Sequence, residues 1–200
     1  MNTLHRDDTM NALITFALDA GATRAACIPL KSVSVESRLA ASCRDPKCPN
    51  FGLSMSCPPH VSGPAGFRKM LKESSHALVI RIEVDSSSLH GEGRPEVMRL
   101  LHEITAAVEI EAKRVGFTES AGFAGGSCKP SFCSEHNYCQ VVSGLGACRH
   151  PDVARPSLSG FGVNVGELMK SAGWSTSLFP KQTTRNEEQM AWVAGLILLR

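Results

Sequence analysis

Residues 191–199 read AWVAGLILL, an apolar run without a single charged side chain. A strand with one face in water alternates apolar and polar residues, whereas a strand that is apolar on both faces is typical of the middle of a covered sheet. We therefore predict a central strand over Met190–Leu199, with helices packed on the sheet. This pattern favours a layered domain over a small scaffold stapled by cysteines.

Outward from this strand, the chain shows helical and strand patterns in turn. Apolar residues at helical spacing, with Gly or Pro near the boundaries, predict helices over residues 4–20, 64–75 and 95–116. Asn164 followed by Glu167 resembles a capping box and predicts a helix that ends near Gly173. Alternating or β-branched runs predict further strands over residues 23–30, 76–84, 117–124 and 174–179. The polar residues 85–93 and 181–189 are predicted to be connections.

The predicted order of elements repeats. Each half reads helix, glycine, strand, cysteine loop, helix, strand, and Gly21 matches Gly116. We predict a single α/β or α+β domain over residues 1–200, with one layered sheet flanked by helices and an internal duplication of about residues 4–84 and 95–179. The strand 190–199 follows the second repeat, and the two cysteine loops are predicted to occupy equivalent places at one end of the sheet.

The composition excludes several classes of protein. With 42% hydrophobic residues the chain is rich enough for a globular core, which excludes a disordered protein. The 21 basic and 19 acidic residues nearly balance and aromatic residues make up 6%, so we expect no nucleic-acid partner. The amino-terminal residues lack a signal-peptide pattern, and the apolar run near the carboxy terminus is far shorter than the ~20 residues that span a bilayer. We expect a cytoplasmic protein without a membrane partner.

Seven of the eight cysteines lie in two short loops rich in Gly and Pro. In residues 125–151, GGSCKPSFCSEHNYCQVVSGLGACRHP, four cysteines are separated by four, five and eight residues. In residues 42–59, SCRDPKCPNFGLSMSCPP, three cysteines are separated by four and eight. In a reducing compartment such groups favour metal binding over disulfides. The predicted ligands are the seven loop thiols: Cys43, Cys48, Cys57, Cys128, Cys133, Cys139 and Cys148.

The wide intervals favour a bulky iron-sulfur cluster over a single ion. Structural zinc sites usually contain a C-x2-C knuckle, which this chain lacks, so zinc is the alternative. Glycines in the second loop allow close backbone approach to cluster sulfurs, and basic neighbours would stabilise the negative charge of a cluster. The glycines are Gly125, Gly126, Gly144 and Gly146, and the basic neighbours are Arg44, Lys47, Lys129 and Arg149. Nearby histidines that could add a ligand are His60, His136 and His150.

Two motifs resemble a known family, the uncharacterised predicted metal-binding proteins. The first is C-x4-C-x2-[YF]-G-x4-CPP, here CRDPKCPNFGLSMSCPP at residues 43–59, with Phe51 where tyrosine is expected. The second is the GGSC…C…C…CRHP…ARPS stretch over residues 125–157. The resemblance implies a cytoplasmic metal-binding protein, of iron-sulfur type, found in anaerobes and related microbes. It implies no particular reaction.

The unequal loops leave three functions open. Four thiolates close the coordination of a cluster, whereas three leave one iron able to bind another ligand, unless Cys27 supplies the fourth. Cys27 lies on a predicted apolar strand and is expected to be a small buried side chain. We favour a protein with two [4Fe-4S]-type clusters that passes electrons to a redox partner. The alternatives are an enzyme with a small-molecule ligand at an open iron, which acts as a Lewis acid or sulfur acceptor, and a zinc-stabilised interaction module.

Overall fold

The protein is described by a computed structural model over residues 3–176 and 190–200. The helices are α1 (Thr3–Asp19), α2 (Ser37–Ala41), α3 (Gly63–Glu73), α4 (Ser86–His90), α5 (Arg94–Arg114), α6 (Cys128–Phe132) and α7 (Val165–Ser171). Two 3-10 helices, η1 and η2, cover Leu30–Ser32 and Leu158–Phe161. The strands are β1 (Arg24–Ile28), β2 (His76–Asp85), β3 (Ala121–Phe123) and β4 (Met190–Leu199).

The four strands form one antiparallel sheet in the order β1-β2-β4-β3. The strand β4 lies inside the sheet, paired along its whole length with β2 and at its carboxyl end with β3, as its apolar sequence predicts. Helices α1 and α5 pack on one face of the sheet, while α3 and α7 pack on the other. The predicted layered sheet in a single mixed α and β domain is confirmed, and all of its neighbouring strands run antiparallel.

Gly195 explains how closely the longest helix approaches the sheet. A Cβ atom at this position of β4 would lie 2.5 Å from Oγ1 of Thr105 on α5 and 3.1 Å from the side chain of Ile80 on β2. Both distances are shorter than ordinary contacts, so a larger residue would force α5 away from β4. Helix α5 begins at Arg94, which lines a pocket with cysteines of the first loop, and it packs against α6, which begins at Cys128 of the second loop. The close contact at Gly195 therefore fixes a helix that touches both cysteine loops.

Most predicted elements are confirmed, with differences where tertiary contacts decide the structure. The helices over residues 4–20, 64–75 and 95–116, the capped helix after Asn164 and the strands over 76–84 and 190–199 are present within a few residues. The predicted strands 23–30 and 117–124 are shorter, as β1 and β3. The predicted connection 85–93 contains α4 instead, because Leu89 is buried against the core beside α5. Short helices such as α2 and α6 are too short to show a hydrophobic period.

The predicted strand 174–179 is not formed in its described part. Trp174 donates its backbone N–H to the carbonyl of Met169 at 2.8 Å, which closes the end of α7, and residues 174–176 form no strand. Residues 177–179 and the predicted connection 181–189 lie outside the described residues. Strand β3 pairs with β4. Strand β4 is thus the last strand of the second half, a position that the prediction gave to residues 174–179.

The two halves of the sheet share several features of backbone geometry and strand order. In each half, the first strand lies at an edge of the sheet and pairs with the last strand of the same half, which lies inside the sheet. These pairs are β1 with β2 and β3 with β4. Gly21 and Gly116 follow α1 and α5 with φ of 108° and 112°. In both places the next residue donates its N–H to the helix carbonyl five residues back, from Ala22 to Ala17 and from Phe117 to Ala112. The internal duplication itself stays a prediction.

The predicted equivalence of the two cysteine loops is wrong. The first loop follows η1 and the bridging residue Val35, whereas the second loop precedes η2 and the bridging residue Val163. Since β1 and β3 run in opposite directions, loops placed directly after each strand would lie at opposite ends of the sheet. Residues 29–42 instead carry the chain back past Val163 before the first loop begins. Unequal insertion is therefore what brings the two loops together at one end.

Candidate metal centres

The seven loop cysteines form two neighbouring sets. Cys128, Cys133, Cys139 and Cys148 line one small cavity of about 20 Å³, which we call the four-cysteine cavity. Cys43, Cys48 and Cys57 line a wider pocket of about 230 Å³, which we call the three-cysteine pocket. All seven residues that the spacing singled out therefore lie at one end of the sheet, grouped as their positions in the sequence suggest.

The start of the second loop is a short helix with a serine cap. Ser127 accepts a hydrogen bond from the backbone N–H of Lys129 at 3.3 Å, and α6 begins at Cys128. The ammonium of Lys129 donates to the carbonyl of Cys133 at 2.7 Å and also to that of His136. Gly126 has a φ of 74°, a backbone conformation that favours glycine, which turns the chain from β3 into this helix. The lysine thus fixes the loop as well as contributing positive charge.

Cys139 is the thiol that the loops stabilise most clearly as a thiolate. Burial acts to raise its pKa, but the backbone N–H groups of Val142, Met55 and Val141 and the charge of Arg149 together hold this pKa below its ordinary value. Hydrogen bonds to a thiolate favour the charged form, which is the form that binds metal. Met55 belongs to the first loop, so the two loops cooperate at this one ligand.

The thiols of Cys128 and Cys133 differ from that of Cys139, because their surroundings raise the pKa. Burial raises the pKa of Cys128, against hydrogen bonds from Ser56 and Ser54 that act to lower it. Burial likewise raises the pKa of Cys133, against the positive charge of Arg149. Thiolates in such surroundings are held in the charged form most readily by a bound cation, since a metal deprotonates a coordinating thiol.

The three-cysteine pocket is built from tight turns. Cys48 donates its backbone N–H to the carbonyl of Cys43 at 3.0 Å, and Cys57 donates to that of Ser54 at 3.1 Å. Burial raises the pKa of Cys43, and the nearby thiols Cys48 and Cys57 raise it further. The three sulfur groups therefore lie within electrostatic reach of one another, while the other residues that line the pocket include an arginine and three serines.

A buried cluster of serine hydroxyls lies between the two cysteine sets. The Oγ atoms of Ser54 and Ser56 are 2.9 Å apart, and those of Ser54 and Ser127 are 3.2 Å apart. Ser56 Oγ lies 3.7 Å from Sγ of Cys57 and accepts the backbone N–H of Cys128 at 3.2 Å. One hydroxyl thus touches a residue of each set. We call Ser54, Ser56 and Ser127 the serine bridge.

A buried ion pair holds the chain where it leaves the second loop. Nε of Arg155 lies 2.5 Å from a carboxylate oxygen of Glu109 on α5, and the same oxygen accepts the backbone N–H of Gly122 at 3.0 Å. The backbone N–H of Arg155 donates to Nδ1 of His102 at 3.0 Å. Burial, followed by the charge of Arg155, lowers the pKa of His102 to about 4. The ion pair and the imidazole together tie the loop exit to α5.

The remaining candidate ligands have other contacts. Nε2 of His60 lies 3.3 Å from the carbonyl of Gly52, and His136 is exposed. His150 lines the four-cysteine cavity, and its backbone N–H donates to Sγ of Cys148 at 3.4 Å. Within residues 3–176 and 190–200, no three Cys, His, Asp or Glu side chains converge as they would around a single ion.

Cys27 lies apart from both sets, on β1. It pairs with Leu78 and lines a separate groove with residues such as Met10 and His76. Burial raises its pKa to about 11, which is the behaviour expected of a thiol that stays protonated. No loop cysteine lines that groove, so the structure gives Cys27 no role as a fourth ligand of the three-cysteine pocket.

Sequence reasoning missed the polar residues that support the cysteines. The serine bridge and the pair of Arg155 with Glu109 connect segments 46 to 73 residues apart, and no local period links such positions. A weak signal was present, because Ser54 and Ser56 lie inside the first cysteine motif and Arg155 lies in the ARPS segment of the second. Residues that recur beside ligands in a motif are candidates for hydrogen bonds to those ligands.

Comparisons with known proteins agree with the site. The model of a family described as "Predicted metal-binding protein (DUF2284)" matches residues 26–199. This range includes both cysteine sets and all four strands except the first two residues of β1. No curated protein and no solved structure matches the chain. No helix in the described part of the chain has the length and apolar character needed to cross a membrane.

Proposed function

Because the chain belongs to the family of predicted metal-binding proteins, we propose that it is an iron-sulfur protein with two [4Fe-4S]-type clusters that passes electrons to a partner enzyme. One cluster would be held by Cys128, Cys133, Cys139 and Cys148, and the other by Cys43, Cys48 and Cys57. The observation that carries the proposal is the contact of Ser56 with residues of both cysteine sets. Two redox groups held this close would exchange electrons readily.

The chemistry of the donors fits an iron-sulfur cluster. Thiolates are the usual protein ligands of these clusters, which carry negative charge and supply one-electron chemistry when bound. The four-cysteine cavity adds the N–H groups that face Cys139 and the cations Lys129 and Arg149 at its wall. Hydrogen bonds and positive charge around the sulfurs stabilise a reduced cluster.

The same cavity favours a cluster over zinc. A zinc ion bound by four thiolates has Zn–S bonds of about 2.3 Å, so its ligands converge on one point. Among the described residues, no three Cys, His, Asp or Glu side chains converge in this way, and the four cysteines lack the C-x2-C knuckle that is usual in structural zinc sites. This arrangement supports a polynuclear group, and zinc remains the result that would overturn the proposal.

A protein partner fits the surface around the cysteines. Among the described residues, five of nine exposed large apolar side chains lie in the two loops. These are Leu53, Met55, Tyr138, Val142 and Leu145. Apolar side chains concentrated at one place on a surface are typical of a binding site. We propose that the redox partner docks there, where the distance to either cysteine set is shortest.

Metal analysis and spectroscopy test the proposal directly. After anaerobic reconstitution with iron and sulfide, we expect about eight irons and as many sulfides per chain. The reduced protein should give an EPR spectrum broadened by interaction between two paramagnetic groups. Cys27→Ala serves as the control and should leave the iron content unchanged, because Cys27 lies on β1 away from both sets. One or two zinc ions and no sulfide would overturn the proposal.

A second function is favoured by one observation, the width and polar lining of the three-cysteine pocket. The pocket of about 230 Å³ brings Arg94, Ser157 and Ser159 beside three thiols. Three thiolates leave one iron of a four-iron cluster free to bind another group. The second candidate is therefore an enzyme whose substrate binds in this pocket. An EPR signal of the three-cysteine site that shifts with an added small molecule favours the enzyme, and an insensitive signal favours electron transfer alone.

A further inference from the structure

The polar lining of the three-cysteine pocket identifies the class of molecule that it takes. We propose that this pocket binds a small organic carboxylate through the guanidinium of Arg94 and the hydroxyl of Ser157. The inference rests on the proposed function for the group held by Cys43, Cys48 and Cys57, and it assigns the ligand that lies beside that group.

Arg94 is the positively charged side chain of this pocket and has free donors. Nη1 of Arg94 donates to the carbonyl of Leu89 at 3.2 Å, and none of the described carboxylates lies within ion-pair distance of the guanidinium. A guanidinium has five N–H donors in a planar fork. At least three of them are therefore left for a ligand, and a fork of this kind matches the two oxygens of a carboxylate.

Ser157 supplies a buried hydroxyl on the same pocket. The residue is only 4% exposed, and its backbone N–H is held by the carbonyl of Ser56 at 2.8 Å. Among the described residues, none forms a hydrogen bond with its hydroxyl. Ser157 lines the open pocket, so this hydroxyl is a hydrogen-bond donor that a ligand can reach. Asn50 and Ser159 add an amide and a hydroxyl to the lining.

The charge of the pocket sets the sign of the ligand. The lining contains no Asp or Glu, so no carboxylate in the wall neutralises Arg94, and its positive charge offsets the negative charge of the group held by the three thiols. A wider groove of about 460 Å³ adjoins the pocket at Phe51 and Pro58, which line both, and it carries Arg44 and Arg68. A second carboxylate on the same molecule would lie toward these arginines. The surroundings therefore favour an organic dicarboxylate over a single small inorganic anion.

Binding of succinate by equilibrium dialysis tests the inference. We expect reconstituted protein to bind radiolabelled succinate, and Arg94→Gln to weaken binding by about tenfold or more, because a hydrogen-bonded ion pair is lost. Arg94→Lys should bind more weakly than the unchanged protein and more tightly than Arg94→Gln. The matched control is Arg114→Gln at the other end of α5, where the guanidinium pairs with Glu111, and it should bind succinate normally.

Two further ligands make the outcome decisive. Neutral succinamide should fail to displace succinate, and sulfate should displace it poorly. Equal displacement by sulfate would overturn the assignment to an organic carboxylate, and so would normal succinate binding by Arg94→Gln. Iron and sulfide are measured on every sample. Full iron content without succinate binding overturns this inference alone, whereas low iron without sulfide overturns the proposed function.

Discussion

The four-cysteine cavity and the three-cysteine pocket are built by the same two loops but differ in what completes them. The first is walled by four thiols, with backbone N–H groups and cations facing the sulfurs. The second has three thiols, and the polar part of its remaining wall is made of Arg94, Asn50 and serines. A complete ligand set suits a group that only exchanges electrons, and an incomplete one suits a group that also binds a molecule. Under the proposed function, one end of the fold holds a relay and a binding site side by side.

Removal of one thiol from each set gives the largest expected effect. Cys139→Ala should remove the cluster of the four-cysteine cavity and lower the iron content by about four per chain. Cys48→Ala should remove the cluster of the three-cysteine pocket and lower the iron content by a similar amount. We expect Cys139→Ala to lower the free energy of unfolding more, because Cys139 joins the second loop to Met55 of the first.

Iron analysis and urea unfolding measure these two losses separately. If either variant loses all of its iron, the two sets act as one site and the comparison between them fails. If Cys48→Ala keeps its iron, the first loop holds no cluster, and the three-cysteine pocket has another function.

The ion pair of Arg155 with Glu109 provides the next largest effect. Glu109→Ala leaves the guanidinium of Arg155 buried without its carboxylate and frees the N–H of Gly122, so we expect a loss of about 3–5 kcal/mol in the free energy of unfolding. Because this pair ties the exit of the second loop to α5, the four-cysteine cavity should lose iron on mild heating before the three-cysteine pocket does.

Glu103→Ala is the matched control on the same helix. Its carboxylate pairs with Arg99 at the surface, where such pairs contribute about 0.2–1 kcal/mol. A loss as large for Glu103→Ala as for Glu109→Ala would mean that the buried pair has no special role at the loop exit.

His102 makes the same loop exit sensitive to acid. Its pKa is about 4 in the folded protein, below the ordinary 6.5, so the unfolded chain binds a proton that the folded chain does not between these pH values. The stability that depends on neutral His102 is therefore fully present above pH 6.5 and is lost progressively as the pH falls toward 4. The difference amounts to about 3 kcal/mol across that window.

His102→Asn tests this pH dependence. The side-chain oxygen of asparagine can accept the N–H of Arg155 in place of Nδ1 but does not titrate. Urea unfolding between pH 5 and pH 7.5 should give a flatter slope for His102→Asn than for the unchanged protein, at equal metal content. His90→Asn, at an exposed histidine, should leave the slope as it is. Equal slopes for all three proteins would contradict the assignment.

The sequence predicted the parts of the fold that depend on local patterns. The apolar run at residues 191–199 identified the inner strand, and Asn164 with Glu167 identified a helix start that the structure forms with a 3.1 Å hydrogen bond. The cysteine spacing likewise predicted which thiols share a cavity, because ligands that share a loop are close in space by chain connectivity alone.

The remaining features depend on contacts between distant segments. The approach of the two loops results from their unequal insertion in the two halves, which no single stretch of sequence encodes. Arg94 lies 37 residues from Cys57 in the chain and reaches its pocket only because α5 begins there. Such residues are found by searching a folded structure for side chains around a ligand set, since their own sequence neighbourhoods look like ordinary helix ends and loops.

The serine bridge gives the smallest expected effect and the sharpest test of how the two sets are connected. Ser56→Ala removes a hydroxyl that lies beside Cys57 and accepts from Cys128, at an expected loss of about 1 kcal/mol in the free energy of unfolding. Fewer hydrogen-bond donors near the sulfurs disfavour the reduced state, so both reduction potentials should become more negative, by on the order of tens of millivolts.

Redox titration followed by EPR separates the two potentials. Ser157→Ala is the matched variant, because Ser157 lines the three-cysteine pocket and not the four-cysteine cavity. It should therefore shift the potential of the three-cysteine site alone. If Ser56→Ala, like Ser157→Ala, shifts the potential of one site and leaves the other unchanged, the serine bridge does not connect the two sets. A shift of both potentials by Ser56→Ala, with one shifted by Ser157→Ala, identifies Ser56 as the residue through which each site senses the other.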